Sequence, residues 1–247
     1  MSLPTAPPRY GPAGSTEAWR AMLAPIKTRE SGWRAYAVQA VVNHDTRVAL
    51  DGAFGPKTEE AVKTWQGRRN LAADGIVGPK TQGAMLRSSE HAVNATLPTL
   101  PPGLLWGFVV HEGAGLLAAT NPYTPPGGAA GVDCGPVQWR QYGPPFKLDG
   151  LKAAFDARRA LAYAGRELLR RRDDYRQRRP SLSRARALEL AVLAHNAPFL
   201  SEQVVRSGTL RTPHAPAAWT TKPGGGHYTH AEWAAEYPRR IMSYAKT

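Results

Sequence analysis

The sequence predicts a mainly α-helical chain of two domains, on three observations. An octapeptide recurs after 23 residues, with apolar residues at helical spacing on either side of it. A Ser- and Pro-containing stretch then interrupts the pattern. Beyond it, small and apolar residues return at helical spacing, and no alternating run is long enough to argue for a strand. The boundaries drawn from this are an arm and lead-in over 1–33, a small helical domain over 34–87, a linker over 88–103, and an α-dominated domain over 104–247.

Residues 1–15 are rich in Pro, Gly and Ala, the composition of an extended arm. Tyr36, Ala37, Ala40 and Val41 then share one helical face. The repeat follows: Asp51-Gly52-Ala53-Phe54-Gly55-Pro56-Lys57-Thr58 returns as Asp74-Gly75-Ile76-Val77-Gly78-Pro79-Lys80-Thr81. Each copy reads as a turn and a helix start, since Pro fits the first helical position, where its missing N–H needs no partner. Ala61, Val62 and Trp65 carry the apolar face of the helix after the first copy. Past the linker, Leu151, Ala154, Phe155, Leu161, Ala162, Gly165, Leu168 and Leu169 predict one helix with an apolar stripe, Gly165 allowing close approach. A helix over Arg184–His195 is apolar on nearly all sides, so burial is expected. Residues 207–229 read as loop and His230–Ala245 as a last helix.

Composition narrows the function classes. At 247 residues and 42% hydrophobic, the chain has enough apolar material for two cores. The longest apolar run, Leu104–Val110, is interrupted by Gly107 and is far short of the roughly 18 residues of a membrane span. The first thirty residues lack the apolar core of a signal peptide, which predicts synthesis in the cytosol. A lone cysteine, Cys134, suits a reducing compartment. The net charge of +13 is uneven, with +4 in residues 1–100 and +9 in 101–247. Such a field draws polyanions, among them an acidic cell envelope. Nucleic acid is not the expected partner, because no recognition helix or zinc-finger pattern accompanies the charge. The densest basic run, Arg166–Arg179, also reads as the solvated face of a helix.

The helix, the segment DGxFGPKTxxAVxxWQ and then LxxDGIVGPKT together resemble the three-helix peptidoglycan-binding domain, over residues 34–87. The resemblance implies bacterial cell wall as the partner. The repeated residues set the turns, so they do not by themselves say which side chains touch the wall.

Three segments of the second half carry chemistry. Glu112 ends the apolar turn Leu104–Gly113, and Leu105, Phe108 and Val109 fall on its helical face. Apolar surroundings disfavour the charged form of a carboxylate, and a protonated carboxyl is what a general acid for glycosidic cleavage requires. Gly131-Val132-Asp133-Cys134-Gly135-Pro136-Val137-Gln138-Trp139 follows, then Leu193-Ala194-His195-Asn196-Ala197-Pro198. A helix-ending glutamate, a Gly-x-x-Gln turn and an Asn-bearing helix end resemble the lytic transglycosylases and goose-type lysozymes, over residues 103–245. The resemblance implies a lysozyme-like domain with Glu112 as catalytic acid, and with Gln138, His195 and Asn196 lining a sugar cleft. The chain departs from the family's pattern at Gly113 (usually serine), at Pro136-Val137 (usually Leu-Met) and at His195 (usually tyrosine). Asp133 is the candidate second carboxylate for hydrolysis, Asp149 being more remote. Without a second carboxylate, the implied reaction forms a 1,6-anhydro sugar. Binder first and catalyst second resembles the endolysins of phages that infect Gram-negative bacteria.

The alternatives come from the same residues. Asp133-Cys134-Gly135-Pro136-Val137-Gln138, after Tyr123 and Gly127-Gly128, resembles the opening of cell-wall cysteine peptidases, with Cys134 as nucleophile. The following helices leave no strand for that family's histidine, and His195, His214, His227 and His230 fall at helix ends or in loops. His111-Glu112 starts a zinc-protease-like pattern, but position 115 is Gly115, so neither metal nor cofactor is expected. A non-catalytic wall-binding structural protein is the remaining reading. A monomer is expected.

Overall fold

The computed structural model of the chain describes residues 3–8, 10, 16–123, 131–142, 146–210, 216–223 and 225–245. It is mainly helical, with ten helices and five short strands among the described residues. The chain divides into two compact units, each assembled from two stretches: Met1–Thr96 with Phe108–Tyr163, and Leu97–Gly107 with Ala164–Thr247.

The first unit opens with α1 (Thr16–Leu23), α2 (Trp33–Thr46), α3 (Pro56–Gly67) and α4 (Pro79–Asn94). As the repeat predicts, α3 and α4 each begin on the proline after an extended glycine, Gly55 and Gly78. Two isolated β-bridges, Ile26 with Val77 and Ser31 with Ala53, tie the lead-in to the two repeat turns. Trp33, Val38, Val42, Phe54, Val62, Trp65, Val77, Met85 and Leu86 fill the core between them. The two repeat turns share a device. Gln39 Nε2 lies 2.8 Å from Asp51 Oδ1 and 3.0 Å from the Ala53 carbonyl, and Gln39 Oε1 accepts from Gly52 N–H at 2.8 Å. Gln66 repeats this on Asp74 at 2.9 Å, Ile76 at 3.0 Å and Gly75 at 2.9 Å. Both glutamines are fully buried, so each turn is wired to the helix before it.

The same unit continues from the end of α5 (Leu104–His111) into an antiparallel sheet. Its strands are β1 (Thr120–Tyr123), β2 (Gly131–Cys134) and β3 (Trp139–Tyr142), in that order. Helix α6 (Leu148–Phe155) packs on β2, on β3 and on α2, where Phe155 stacks on Trp33 at 5.1 Å. The arm joins here too: Tyr10 O–H donates to the Ala118 carbonyl at 2.8 Å, and Thr120 O–H to the Pro8 carbonyl at 3.1 Å.

The second unit holds most of α7 (Ala157–Arg178), then α8 (Arg184–Asn196), α9 (Pro198–Ser207), a hairpin of β4 (Pro216–Thr221) and β5 (His227–Thr229), and α10 (His230–Met242). Ser183 caps α8 by accepting from Arg186 N–H, and Thr229 with Glu232 forms a capping box on α10. The Lys222 ammonium and the Thr229 N–H hold the Glu232 carboxyl down at about 2. Gly165 sits where a Cβ would crowd Leu97 and Leu100, the close approach expected of it.

Four expectations differ from the structure. Residues 88–94, read as linker, are the last turns of α4; Ser89 is buried there and donates to the Met85 carbonyl. The stripe from Leu151 is two helices, not one, because Asp156 adopts extended backbone and accepts from Arg159 N–H as a new cap. Residues 216–221 and 227–229 pair as strands inside the stretch read as loop. The α-dominated region also contains β1–β3, whose four-residue strands are too short to show alternation.

Candidate functional site

Helix α5 ends at a run of three small residues. Glu112 N–H still bonds to the Phe108 carbonyl at 2.8 Å, Ala114 and Gly115 turn left-handed, and Gly115 N–H reaches back to the Val109 carbonyl at 2.9 Å. A closure of that span satisfies carbonyls that the helix end would otherwise orphan. Glu112 is left half-buried at this terminus, with Phe108 and Val109 of its own face fully buried.

The residue after the glutamate meets the Gly-x-x-Gln turn. A Cβ on Gly113 would overlap the Pro136 carbonyl, so the two backbones are in direct contact. On its other side the turn leans on α6: Gly135 has φ +75°, and a Cβ there would overlap the Ala154 carbonyl. Gly135 N–H donates to the Ala119 carbonyl at 2.9 Å. Gln138 is itself left-handed, with φ +51°, and its side-chain amide donates to the Gly135 and Ala119 carbonyls at 3.0 and 3.3 Å. The glutamine thus ties the turn to Ala119, just before β1, while remaining half-exposed.

Asp133 lies across the β2–β3 pair from Arg140, which grips both its oxygens at 2.7 Å. A planar guanidinium suits this two-pronged contact. Cys134 is fully buried on β2, its Sγ 3.6 Å from the Val132 carbonyl, and burial pushes the thiol well above its usual range.

Glu112, Asp133 and Gln138 are therefore all in the first unit, whereas His195 and Asn196 belong to the second, at the exposed end of α8. Asn196 Oδ1 accepts from Trp233 Nε1 at 3.1 Å, fastening α10 to α8. Phe199, 48% exposed, stands edge-on to His230 in the same unit. Gly127, Gly128 and His214, weighed for the peptidase reading, lie outside the described residues.

A second feature of the first unit is an open groove of about 1180 Å³ between the end of α2 and α3. Gln39 of α2 and Asp51, Ala53 and Lys57 of the first repeat line it, together with Arg47 and Arg68. Sequence reasoning missed Gln39 and Arg140. The signal for the first was a glutamine in the helix before each Asp-Gly, Gln39 and Gln66; for the second, an arginine seven residues beyond an aspartate across a tight turn. Among the described residues no group of three or more His, Cys, Asp or Glu side chains is placed to hold a metal ion, and no helix is long and apolar enough to cross a membrane.

No curated protein matches the chain. Residues 42–85 match the family model described as "Putative peptidoglycan binding domain". That span takes in the end of α2, both repeat turns, α3 and the first turns of α4, which is most of the groove's wall. Residues 42–85 are thus a peptidoglycan-binding module, and they tie the chain to the cell wall.

Proposed function

We propose that the chain cleaves the glycan strands of peptidoglycan, holding the wall through residues 42–85 and using Glu112 as acid and base. The observation that carries the proposal is the backbone contact of Gly113 with Pro136. It joins a glutamate-ended helix to a Gly-x-x-Gln turn, two of the three segments on which the resemblance to lytic transglycosylases and goose-type lysozymes rests.

In this reading the Glu112 carboxyl gives its proton to the glycosidic oxygen as the bond from muramic acid C1 breaks. The substrate's N-acetyl carbonyl supports the cationic C1. The Glu112 carboxylate then takes the proton of the C6 hydroxyl, which attacks C1 and closes a 1,6-anhydro ring. Hydrolysis by a pair of carboxylates needs the second one available to a water or to C1, and Asp133 is committed to Arg140. That favours the transglycosylase route over the muramidase. His195 and Asn196 are assigned to sugar binding by the resemblance alone, and Gln138 to shaping the turn. A Cys134 peptidase is disfavoured by the buried, protonated thiol. In biological terms the chain is read as a bacteriolytic endolysin of phage origin, monomeric, made in the host cytoplasm and acting on the wall, with its positive charge drawn to the anionic envelope.

The test is mass spectrometry of muropeptides from purified peptidoglycan treated with wild type and with Glu112→Gln. Anhydro-ended fragments from wild type alone are expected. Reducing ends lost in the variant would mean hydrolysis. Equal glycan cleavage by both would remove Glu112 as the acid, and intact glycan with both would overturn the proposal, in favour of a peptidase if peptide stems are cut and of a non-catalytic wall binder if they are not.

A further inference from the structure

We infer that Trp139 and Tyr163 form a stacking platform for the pyranose rings of the glycan strand, one residue beyond the turn that packs on Gly113. The inference rests on the glycan-cleaving reading above and adds a binding surface to it. The two rings lie parallel, with centroids 4.0 Å apart and planes 6° from coincident. They come from β3 and from α7, so their pairing is a product of the fold and not of neighbouring sequence. Both are in the first unit. Tyr163 is 39% exposed and Trp139 half-exposed, so the stack borders solvent and is not a core pair.

The backbone leading to Trp139 is held in an uncommon way. Gln138 has φ +51° and spends its side-chain amide on the Gly135 carbonyl of its own turn and on the Ala119 carbonyl just before β1. Left-handed backbone at a residue other than glycine persists only where its surroundings enforce it, and such sites cluster at functional positions. Here the enforced turn delivers the indole. Arg140, the next residue of β3, turns to the other face of the sheet, where it pairs with Asp133, so the indole and not the guanidinium shares its face with Tyr163.

A solvent-bordering aromatic stack suits a β-linked N-acetylhexosamine strand. The axial C–H groups of each ring make an apolar face for stacking, and the hydroxyl and acetamido groups at its edge take the hydrogen bonds. A nucleic-acid base would stack on the same face. The wall-binding module in the same unit favours the glycan.

The experiment is calorimetric titration of the full chain carrying Glu112→Gln with a peptide-free tetrasaccharide of alternating N-acetylglucosamine and N-acetylmuramic acid. Trp139→Ala and Tyr163→Ala in that background are each expected to weaken binding about ten-fold. Trp139→Phe and Tyr163→Phe keep most of it. Heat from the wall module is common to parent and variants and cancels in the comparison. Tyr163 is on a helix surface where alanine is well tolerated, so that variant decides the matter if Trp139→Ala does not fold. Unchanged affinity in Tyr163→Ala overturns the platform. A loss of single-stranded DNA binding, with tetrasaccharide binding intact, overturns it in favour of nucleic acid. If the variants lose affinity but wild type cuts no glycan, the platform stands and the cleavage reading falls.

Discussion

Gln39 and Gln66 show how much one side chain can organise. Each is buried in a helix, and each satisfies an aspartate, a carbonyl and a glycine N–H of the turn that follows. Gln39→Ala removes all of these partners at once and leaves Gly52 N–H buried without an acceptor. An unsatisfied buried group costs about 1–3 kcal/mol, so urea denaturation of this variant should show a loss of about 2 kcal/mol. Because Gln39 also lines the groove, retention on insoluble peptidoglycan should fall with it, and full retention would remove the groove from wall binding. The same turns give a pH dependence. The Ala53 N–H and the Gln39 amide hold the Asp51 carboxyl below its usual range, and the Ile76 N–H and Gln66 amide do the same for Asp74. A carboxyl with a depressed folded pKa contributes stability above its unfolded value of about 3.9, and that contribution is lost as pH falls through the folded value. Melting temperature should therefore be insensitive to these two groups at neutral pH and fall below about pH 4. Asp51→Asn, which keeps an acceptor without a charge, should make the fall shallower; an identical acid profile would assign the loss to other groups.

Elements were legible in the sequence in proportion to how far their signals were local. The repeat announces α3 and α4 because proline and glycine act on the residues beside them. The strands β1, β2 and β3 owe their existence to pairing and to α6 beneath them, neither of which leaves a mark in four residues. The break between α6 and α7 was readable from Asp156, a favoured capping residue, but the apolar stripe runs through it unchanged. Glu112 could be placed at a helix end from its apolar neighbours. The commitment of Asp133 to Arg140 required the strand register. Gly113 joins these scales. The serine of the related pattern has no room here, because the Pro136 carbonyl occupies the position of a Cβ. Gly113→Ser should cost about 1–3 kcal/mol by overpacking and lower glycan cleavage more than wall binding. A variant as stable and as active as wild type would refute the contact.

Across the whole chain, charge and chemistry are separable by salt. The net charge is +13, and the wall and outer envelope are anionic. Screening shortens the reach of exposed charges from about 30 Å at 0.01 M salt to about 3 Å at 1 M. Retention on peptidoglycan should drop severalfold over that range and level off at the part that does not depend on charge. Retention that does not respond to salt would leave the charge without a role in binding. The division of the chain also bears on how it is made. Every residue of the first unit has been synthesised once Tyr163 is added, whereas residues 97–107 belong to the unit that comes later. Leu100 and Leu105, both buried in the finished protein, wait for the α7 residues around Gly165, and Gly107 waits for Ile241, near the last residues translated. During that interval the residues of α7 and α10 that pack against this apolar segment are not yet there to cover it. A fragment ending at Tyr163 therefore leaves these leucines exposed, a target for chaperones or proteases.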